Sequence, residues 1–261
     1  MRWPPWLSSL EDDEEKARES ASWTSRLNTK NWTQWTSPNT LIPTVVLTGT
    51  ILFSYRFYRL YLRRIPLATN IKDSFWHKRS LFGTVTSVGD GDGFRLFHTP
   101  GGRLTGWGWL PWRKIPTGKE LKDKTISVRL AGVDAPECAH FGRAAQPGSK
   151  EALDWLTEYV LGRRVRTYVY KRDQYNRAVG SVFVRRGLLR RDVGLQMLKM
   201  GLATVYEAKT GSEFGDFEEK YRRAEEKAKG RKKGIWAAKA DFFESPREYK
   251  NRIGQTHEEI N

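Results

Sequence analysis

Cysteine is nearly absent: Cys138 stands alone among 261 residues. No intrachain disulfide can form and no cysteine-rich metal site can be built, so stability has to come from a packed core. Histidine is scarce as well, and of the four only His140 lies close to Cys138. That pair could supply two zinc ligands, but His77, His98 and His257 show no ligand spacing with it, and a plain loop thiol is the simpler reading. Long hydrophobic runs are confined to one place. Thr40 to Tyr55 carries no charge, and its apolar and aromatic character continues to Leu62 interrupted only by Arg56 and Arg59. Acidic charge is in deficit, with 30 Asp and Glu against 46 Lys and Arg, a net charge of +16. A chain that basic attracts polyanions and anionic lipid surfaces through its summed field, which makes nucleic acid the leading partner, with a membrane surface, a ribosome or no specific partner as the alternatives.

The excess is unevenly placed. Residues 1–40 hold five basic and six acidic side chains, so everything after them carries +17. Residues 1–39, with the acidic run Glu11 to Glu15 and no apolar periodicity, read as a flexible polar tail. Residues 40–62 come next as a single transmembrane anchor, since a span needs about 20 residues and arginines near a helix end can snorkel. A buried helix or a late signal segment is the competing reading. Arg56, Arg59, Arg63 and Arg64 make the C-terminal flank the more basic one, which keeps the domain after the anchor on the non-translocated side. Residues 63–80 read as a basic linker, 81–243 as one domain, which is what this length allows, and 244–261 as a C-terminal tail.

Within the domain, residues 83–88 and 93–97 alternate as strands about an Asp-Gly turn at Gly89 to Asp92. Ile126, Val128 and Leu130 mark a third strand, residues 165–170 a fourth and 178–184 a fifth. Five short strands fit a small closed barrel, which removes exposed edges. Three helices are interleaved. The first follows Ser149 as N-cap with Leu153, Leu156 and Val160 inward, and the second follows Asp192 with Val193, Met197 and Met200 and stops at Gly201. The third runs from Phe217 through Tyr221, Ala224 and Ala228 to Gly230, after which Ile235 and Trp236 pack back. The fold class is therefore α+β, a five-stranded barrel with three helices behind one membrane helix. An insertion at 98–123 is rich in Gly and Trp and reads as a long loop; Trp107, Trp109 and Trp112 could stack on bases or fill a local apolar cluster, the latter being favoured.

Three clusters carry chemistry. The first is Asp90-Gly91-Asp92-Gly93, which alone would be an ordinary turn. The second runs from Val128 to Glu137, with Arg129 on a strand, Asp134 five residues on, and Glu137 beyond a proline-fixed turn. The third is Asp173-Gln174-Tyr175-Asn176-Arg177. Together they hold what phosphodiester hydrolysis requires. Glu137 can take the proton of the attacking water as general base. Arg129 and Arg177 can meet the oxygens of a pentacoordinate phosphorus with planar forks that lysine lacks. Asp92, Asp134 and a backbone carbonyl can hold a hard divalent ion, and so mixed an oxygen set suits Ca2+.

At these residues the chain closely resembles the staphylococcal nuclease family over about residues 82–240. The family's Asp-Gly-Asp turn, its Arg-Leu-x-x-Val-Asp-x-Pro-Glu segment and its Asp-x-Tyr-x-Arg segment appear in order as Asp90 to Asp92, Arg129 to Glu137 and Asp173 to Arg177. The resemblance implies an OB-fold barrel, Ca2+ held by Asp92, Asp134 and the Ala135 carbonyl, Tyr175 against the substrate, and cleavage of DNA or RNA to 3′-phosphate ends. With its apolar N-terminal stretch and Trp-rich insertion, the whole chain is similar to the fungal mitochondrial membrane-anchored endonucleases of that family, and a mitochondrial location enters only through that likeness.

Three departures from the bacterial pattern stand out. Ala135 and Gly93 each replace a threonine, and Asn176 replaces a glycine. The first keeps the main-chain carbonyl and loses a hydroxyl beside Glu137. The second implies a more flexible turn and weaker calcium binding, and the third suits a left-handed backbone, which asparagine tolerates. Some domains of this fold only bind nucleic acid or protein, but those lack members of the arginine-glutamate-arginine set that is complete here. A tether that merely holds anionic lipid is the third reading.

Overall fold

The computed structural model describes residues 37–139, 144–206, 213–237, 244–246, 248–249 and 252. His140, His257, nearly all of the expected N-terminal tail and most of the C-terminal tail lie outside the described residues. The chain divides into two compact units, Met1–Leu60 and Tyr61–Asn261. In the first, helix α1 (Pro38–Phe57) starts on a proline, whose missing N–H costs nothing in a first turn, and runs on into a π-helical turn, Tyr58–Leu62. None of the α1 side chains is buried. Among the described residues Pro38–Leu62 is the one helix long and apolar enough to cross a bilayer.

The second unit is built on a closed barrel. Strands β1 (Ser80–Asp90), β2 (Gly93–His98) and β3 (Ile126–Leu130) form an antiparallel meander, and β5 (Arg164–Arg172) and β6 (Ala178–Arg186) extend it from the other side of β1. A parallel pairing of β3 with β6, Val128 opposite Ala178, closes the ring. Alternation fills the interior: Ile126, Val128 and Leu130 are buried, as are Val165, Thr167 and Val169. Three short strands were not expected. β4 (Val133–Asp134) pairs with β8 (Thr204–Val205), and β7 (Leu189–Asp192) pairs with the end of β6.

Helix α2 (Ser149–Val160) packs Ala152, Leu156 and Val160 inward. Its N-cap is Gly148 at φ 85°, and Ser149 is the first helical residue without a capping bond, which corrects the expected serine cap. A Cβ on Gly148 would approach Ile235 within 2.7 Å, so glycine is required there for space as well as for the left-handed angle. Helix α3 (Val193–Met200) is capped by Asp192, which accepts from the Leu195 N–H, and ends at Gly201 in the left-handed region. Met200 is exposed and Leu198 takes the inward position instead. Helix α4 (Glu218–Gly230) buries Tyr221, Ala224 and Ala228, and the Tyr221 hydroxyl donates to the Asp192 carboxylate at 2.9 Å, tying α4 to the start of α3. Ile235 donates its N–H to the Gly201 carbonyl, which returns the chain to the end of α3.

The stretch expected as a linker, 63–80, contributes Ile65, Ala68, Ile71 and Phe75 to the same core. The Ile65 N–H donates to His98 Nδ1 at 2.9 Å. In the insertion, three short 3-10 turns replace a featureless loop. Trp107 packs edge-on against Phe97, as a local cluster requires, whereas Trp109 and Trp112 are 59% and 77% exposed.

Candidate active site

The β2–β3 register puts Gly93 opposite Arg129, and the Leu130 N–H donates to the Asp92 carbonyl at 2.9 Å. The chain then turns through Gly132 at φ 71°, which brings Asp134 back beside the arginine five positions earlier. Arg129 is thereby held by both aspartates: Nε donates to Asp92 Oδ2 at 3.0 Å and Nη2 to Asp134 Oδ1 at 2.9 Å, with the guanidinium 4.8 Å from the Tyr206 ring. Burial alone would lower the Arg129 pKa, but Asp92 and then Asp134 outweigh it, so the net shift is upward and the charge is permanent.

The β5–β6 hairpin delivers the second arginine. Asp173 Oδ1 accepts from the backbone N–H groups of Tyr175 and Arg177 at 2.9 and 2.8 Å, and Oδ2 accepts from Arg177 Nε at 2.7 Å. Asn176 sits at φ 58°, the left-handed angle anticipated for it. Arg177 Nη1 lies 3.9 Å from Asp90 Oδ2, so this hairpin and the β1–β2 turn meet. Tyr175 is exposed, its ring 5.5 Å from the Arg177 guanidinium.

Asp90 feels the charge of both arginines. Burial, and next the charge of Asp92, raise its pKa to about 6, with Glu137 adding to the rise and Arg177 and Arg129 opposing it. Glu137 is half-buried, and its backbone is fixed by a reciprocal pair with the buried Gln146: the Glu137 N–H donates to Gln146 Oε1 at 3.0 Å, and the Gln146 N–H donates to the Glu137 carbonyl at 2.9 Å. Ala135 is buried, and a Cβ on Gly91 would come within 2.7 Å of its methyl, so only glycine lets the β1–β2 turn close over the Asp134–Ala135 segment. At Gly93 a Cβ would meet the Asp90 carboxylate, the end of a partly exposed side chain that can turn aside, so glycine is less strictly required there. The turn is closely packed at Gly91.

The donor set fits a hard cation. Asp92 and Asp134 are buried carboxylates, and Asp90 Oδ1 is buried with no hydrogen-bond partner, an atom that positive charge from outside the chain would satisfy. Among the described residues no three His, Cys, Asp or Glu side chains form a ligand cluster, so an ion bound at Asp92 and Asp134 would have to complete its shell with main-chain oxygen and water. The Cys138 thiol is pushed up by burial and by the charges of Asp90 and Glu137, which disfavours the thiolate that zinc or a nucleophile needs.

Three groups in the cluster were missed as site residues. Asp90 and Asp173 both stood inside quoted motifs, and the two-residue spacing of Asp173 to Tyr175, an Asx turn, marks Asp173 as the clamp on the hairpin. Gln146 had no signal, since its partner lies across a loop.

The family model described as staphylococcal nuclease homologue matches residues 127–238. A protein named probable endonuclease lcl3 from Sclerotinia sclerotiorum is 63% identical over 246 residues, covering 94% of this chain and 93% of the relative. The protein of the same name from Botryotinia fuckeliana is 60% identical over 254 residues, 97% of each chain. That of Pyricularia oryzae is 61% identical over 259 residues, 99% of this chain and 98% of the relative. Likeness of that extent, on a barrel whose three motif segments converge in space, makes this chain a member of the staphylococcal nuclease homologue family.

Proposed function

We propose that the chain is a membrane-anchored, calcium-dependent endonuclease that hydrolyses phosphodiester bonds in DNA or RNA. The observation that carries this reading is the convergence of two arginines, each fixed by a carboxylate, on an acidic cluster of the buried Asp92 and Asp134 and the half-exposed Asp90. The names of the relatives point the same way. Arg129 and Arg177 bind the phosphate oxygens through planar forks, and the Asp173 clamp on Nε of Arg177 aims its terminal nitrogens before substrate arrives. Glu137 accepts the proton of the attacking water, with Gln146 holding the backbone from which its carboxylate projects. Asp92, Asp134 and the Ala135 carbonyl would hold a calcium ion, which would supply a Lewis acid to the phosphate oxygens. Tyr175 flanks the substrate beside Arg177.

Helix Pro38–Leu62 serves as the anchor, with its basic C-terminal flank on the side of the catalytic unit. A mitochondrial membrane is the location that the family likeness suggests. The test is to incubate the full chain in mild detergent with plasmid, single-stranded DNA and RNA, with calcium or with chelator, beside Glu137→Gln. Cleavage that needs calcium and vanishes in the variant is expected. Tight binding without cleavage in calcium would turn the reading to a binding module.

A further inference from the structure

The outer face of β5, β6 and β7 carries a second concentration of aromatic and basic groups that the reaction chemistry does not use. Along β5 the side chains of Val165, Thr167 and Val169 fill the barrel, so Arg166, Tyr168 and Tyr170 point outward. Register continues the pattern across the sheet: Phe183 stands opposite Arg166, and Arg190 stands opposite Arg185. Tyr168 meets Phe183 edge-to-face at 5.6 Å, and Phe217, from the turn before α4, lies 5.8 Å from Phe183. These side chains line a cavity of about 470 Å³ together with His77, whose ring is 5.5 Å from Tyr170, and Asp216.

We propose that this cavity is a binding site for an unstacked nucleotide of single-stranded nucleic acid, an accessory site that grips the substrate away from the reacting phosphate. The chemistry is complementary on both counts that such a ligand presents. Aromatic rings offer π faces to a base of any sequence, and Arg166 and Arg190 offer charge to the flanking phosphates. The volume lies within the range of small-molecule sites. Tyr168 is 40% exposed, so its ring is available for contact. Asp216 adds an acceptor for the exocyclic amine or ring N–H of a base. The cavity also lies a short way along β5 from the candidate active site. Tyr170 and Tyr168 precede the Asp173 clamp by three and five residues, about 10 and 17 Å at roughly 3.3 Å per strand residue, a span of a few nucleotides. Duplex DNA keeps its bases stacked inside and cannot offer one here.

The inference rests on the reading of the chain as a nucleic-acid enzyme, and the test separates the two. Binding of a fluorescent single-stranded 12-mer to the full chain in detergent with chelator is measured by anisotropy for the parent, Tyr168→Ala, Tyr168→Phe and Arg190→Ala, together with cleavage in calcium. Tyr168→Ala is expected to weaken single-strand binding about tenfold and raise KM on single-stranded substrate alike, with kcat unchanged. Tyr168→Phe, which keeps the stacking face, should bind within about twofold of the parent. Arg190→Ala should lower the salt dependence of binding by about one counterion. Parent-like binding by Tyr168→Ala, or an equal loss on duplex, would overturn the accessory site even if the enzyme cuts. Loss of single-strand binding in Tyr168→Ala from a parent that never cuts would leave the site standing and overturn the nuclease reading instead.

Discussion

The Nε of Arg129 donates to Oδ2 of Asp92 across 3.0 Å, although 37 positions separate them. The β2–β3 register makes the contact, and Asp134 completes the grip on the other side of the guanidinium. An arginine so placed is preorganised, and preorganised charge is what stabilises a transition state without reorganisation. Lysine at 129 or 177 keeps the charge but loses the fork. Arg129→Lys and Arg177→Lys should each lower turnover by about 100-fold or more while affinity for uncleaved nucleic acid changes less than about tenfold. Glu137→Gln should behave likewise, since it removes the proposed base and keeps the shape. Single-turnover kinetics and filter binding on the same preparations check this, and variants that cut at the parent rate would remove these residues from catalysis.

Calcium should be required, with magnesium supporting little cleavage, because two carboxylates completed by carbonyl and water suit the larger and less demanding ion. Asp92→Ala and Asp134→Ala should each raise the calcium needed for half-maximal rate. Calcium titrations that superimpose on the parent in both variants would place the ion elsewhere.

The barrel was legible because residues 126–130 and 165–169 alternate cleanly, the other main strands are short apolar runs, and the three motifs mark two turns and a strand end. The strands that escaped are two to four residues long, too short for a period to register, and β4 finds its partner 72 positions away, Val133 opposite Val205. Residues 63–80 looked like a linker because their core residues, Ile65, Ala68, Ile71 and Phe75, are sparse among basic ones, and Pro66 interrupts any regular helix that would have advertised them. The site was legible as residue types and spacing. What it could not announce was closeness across the fold, such as Gln146 under Glu137 or the crowding of Gly93 by Asp90, because those depend on loops meeting.

That crowding is testable. Gly93→Ala pushes a methyl into the Asp90 carboxylate, whose other neighbours are Arg177 and the Asp92 charge. Because Asp90 is partly exposed and its carboxylate can turn aside, the cost should lie at or below the low end of the roughly 1–3 kcal/mol of core overpacking. A lower Tm in chelator and a higher calcium requirement are expected together. An unchanged Tm with stronger calcium binding would favour the flexible turn over the crowded one.

His98 should govern part of the pH dependence of stability. Burial, and then Arg64, push its pKa down to about 4 from an ordinary 6.5. Between those values the unfolded chain takes up a proton that the folded chain refuses, so the stabilisation is whole above pH 6.5 and is lost progressively towards pH 4. The loss is on the order of 3 kcal/mol. Asp90 acts with the opposite sign, since a carboxyl raised to about 6 favours the fold at low pH and loses that contribution as pH rises through 6. The two partly cancel in the parent, so the readout is a difference. His98→Asn keeps an acceptor for the Ile65 N–H and does not titrate. Urea unfolding of this variant should fall less between pH 7 and pH 4 than that of the parent, by about 3 kcal/mol, and parallel curves would refute the assignment.

The boundary between anchor and enzyme should lie near Tyr61. If Pro38–Leu62 spans a bilayer, the full chain should resist alkaline carbonate extraction, while a chain beginning at Tyr61 should be soluble and should cut nucleic acid as fast as the parent in detergent. Residues 61–75 nevertheless belong to the enzyme. Ile65, Ile71 and Phe75 are buried in the barrel core with Ala68, the Ile65 N–H pairs with His98, and Arg64 donates to the Lys124 carbonyl while its guanidinium lies over Phe97. Burying each large apolar side chain is worth about 1.5–3 kcal/mol, so three of them rival the roughly 5–15 kcal/mol by which a domain is stable at all. A chain beginning at Trp76 should therefore unfold at a much lower temperature than one beginning at Tyr61, or fail to fold. Thermal melts of the two decide it: coincident transitions would return residues 63–75 to the role of a linker, and release of the full chain by carbonate would remove the span while leaving the stability difference intact.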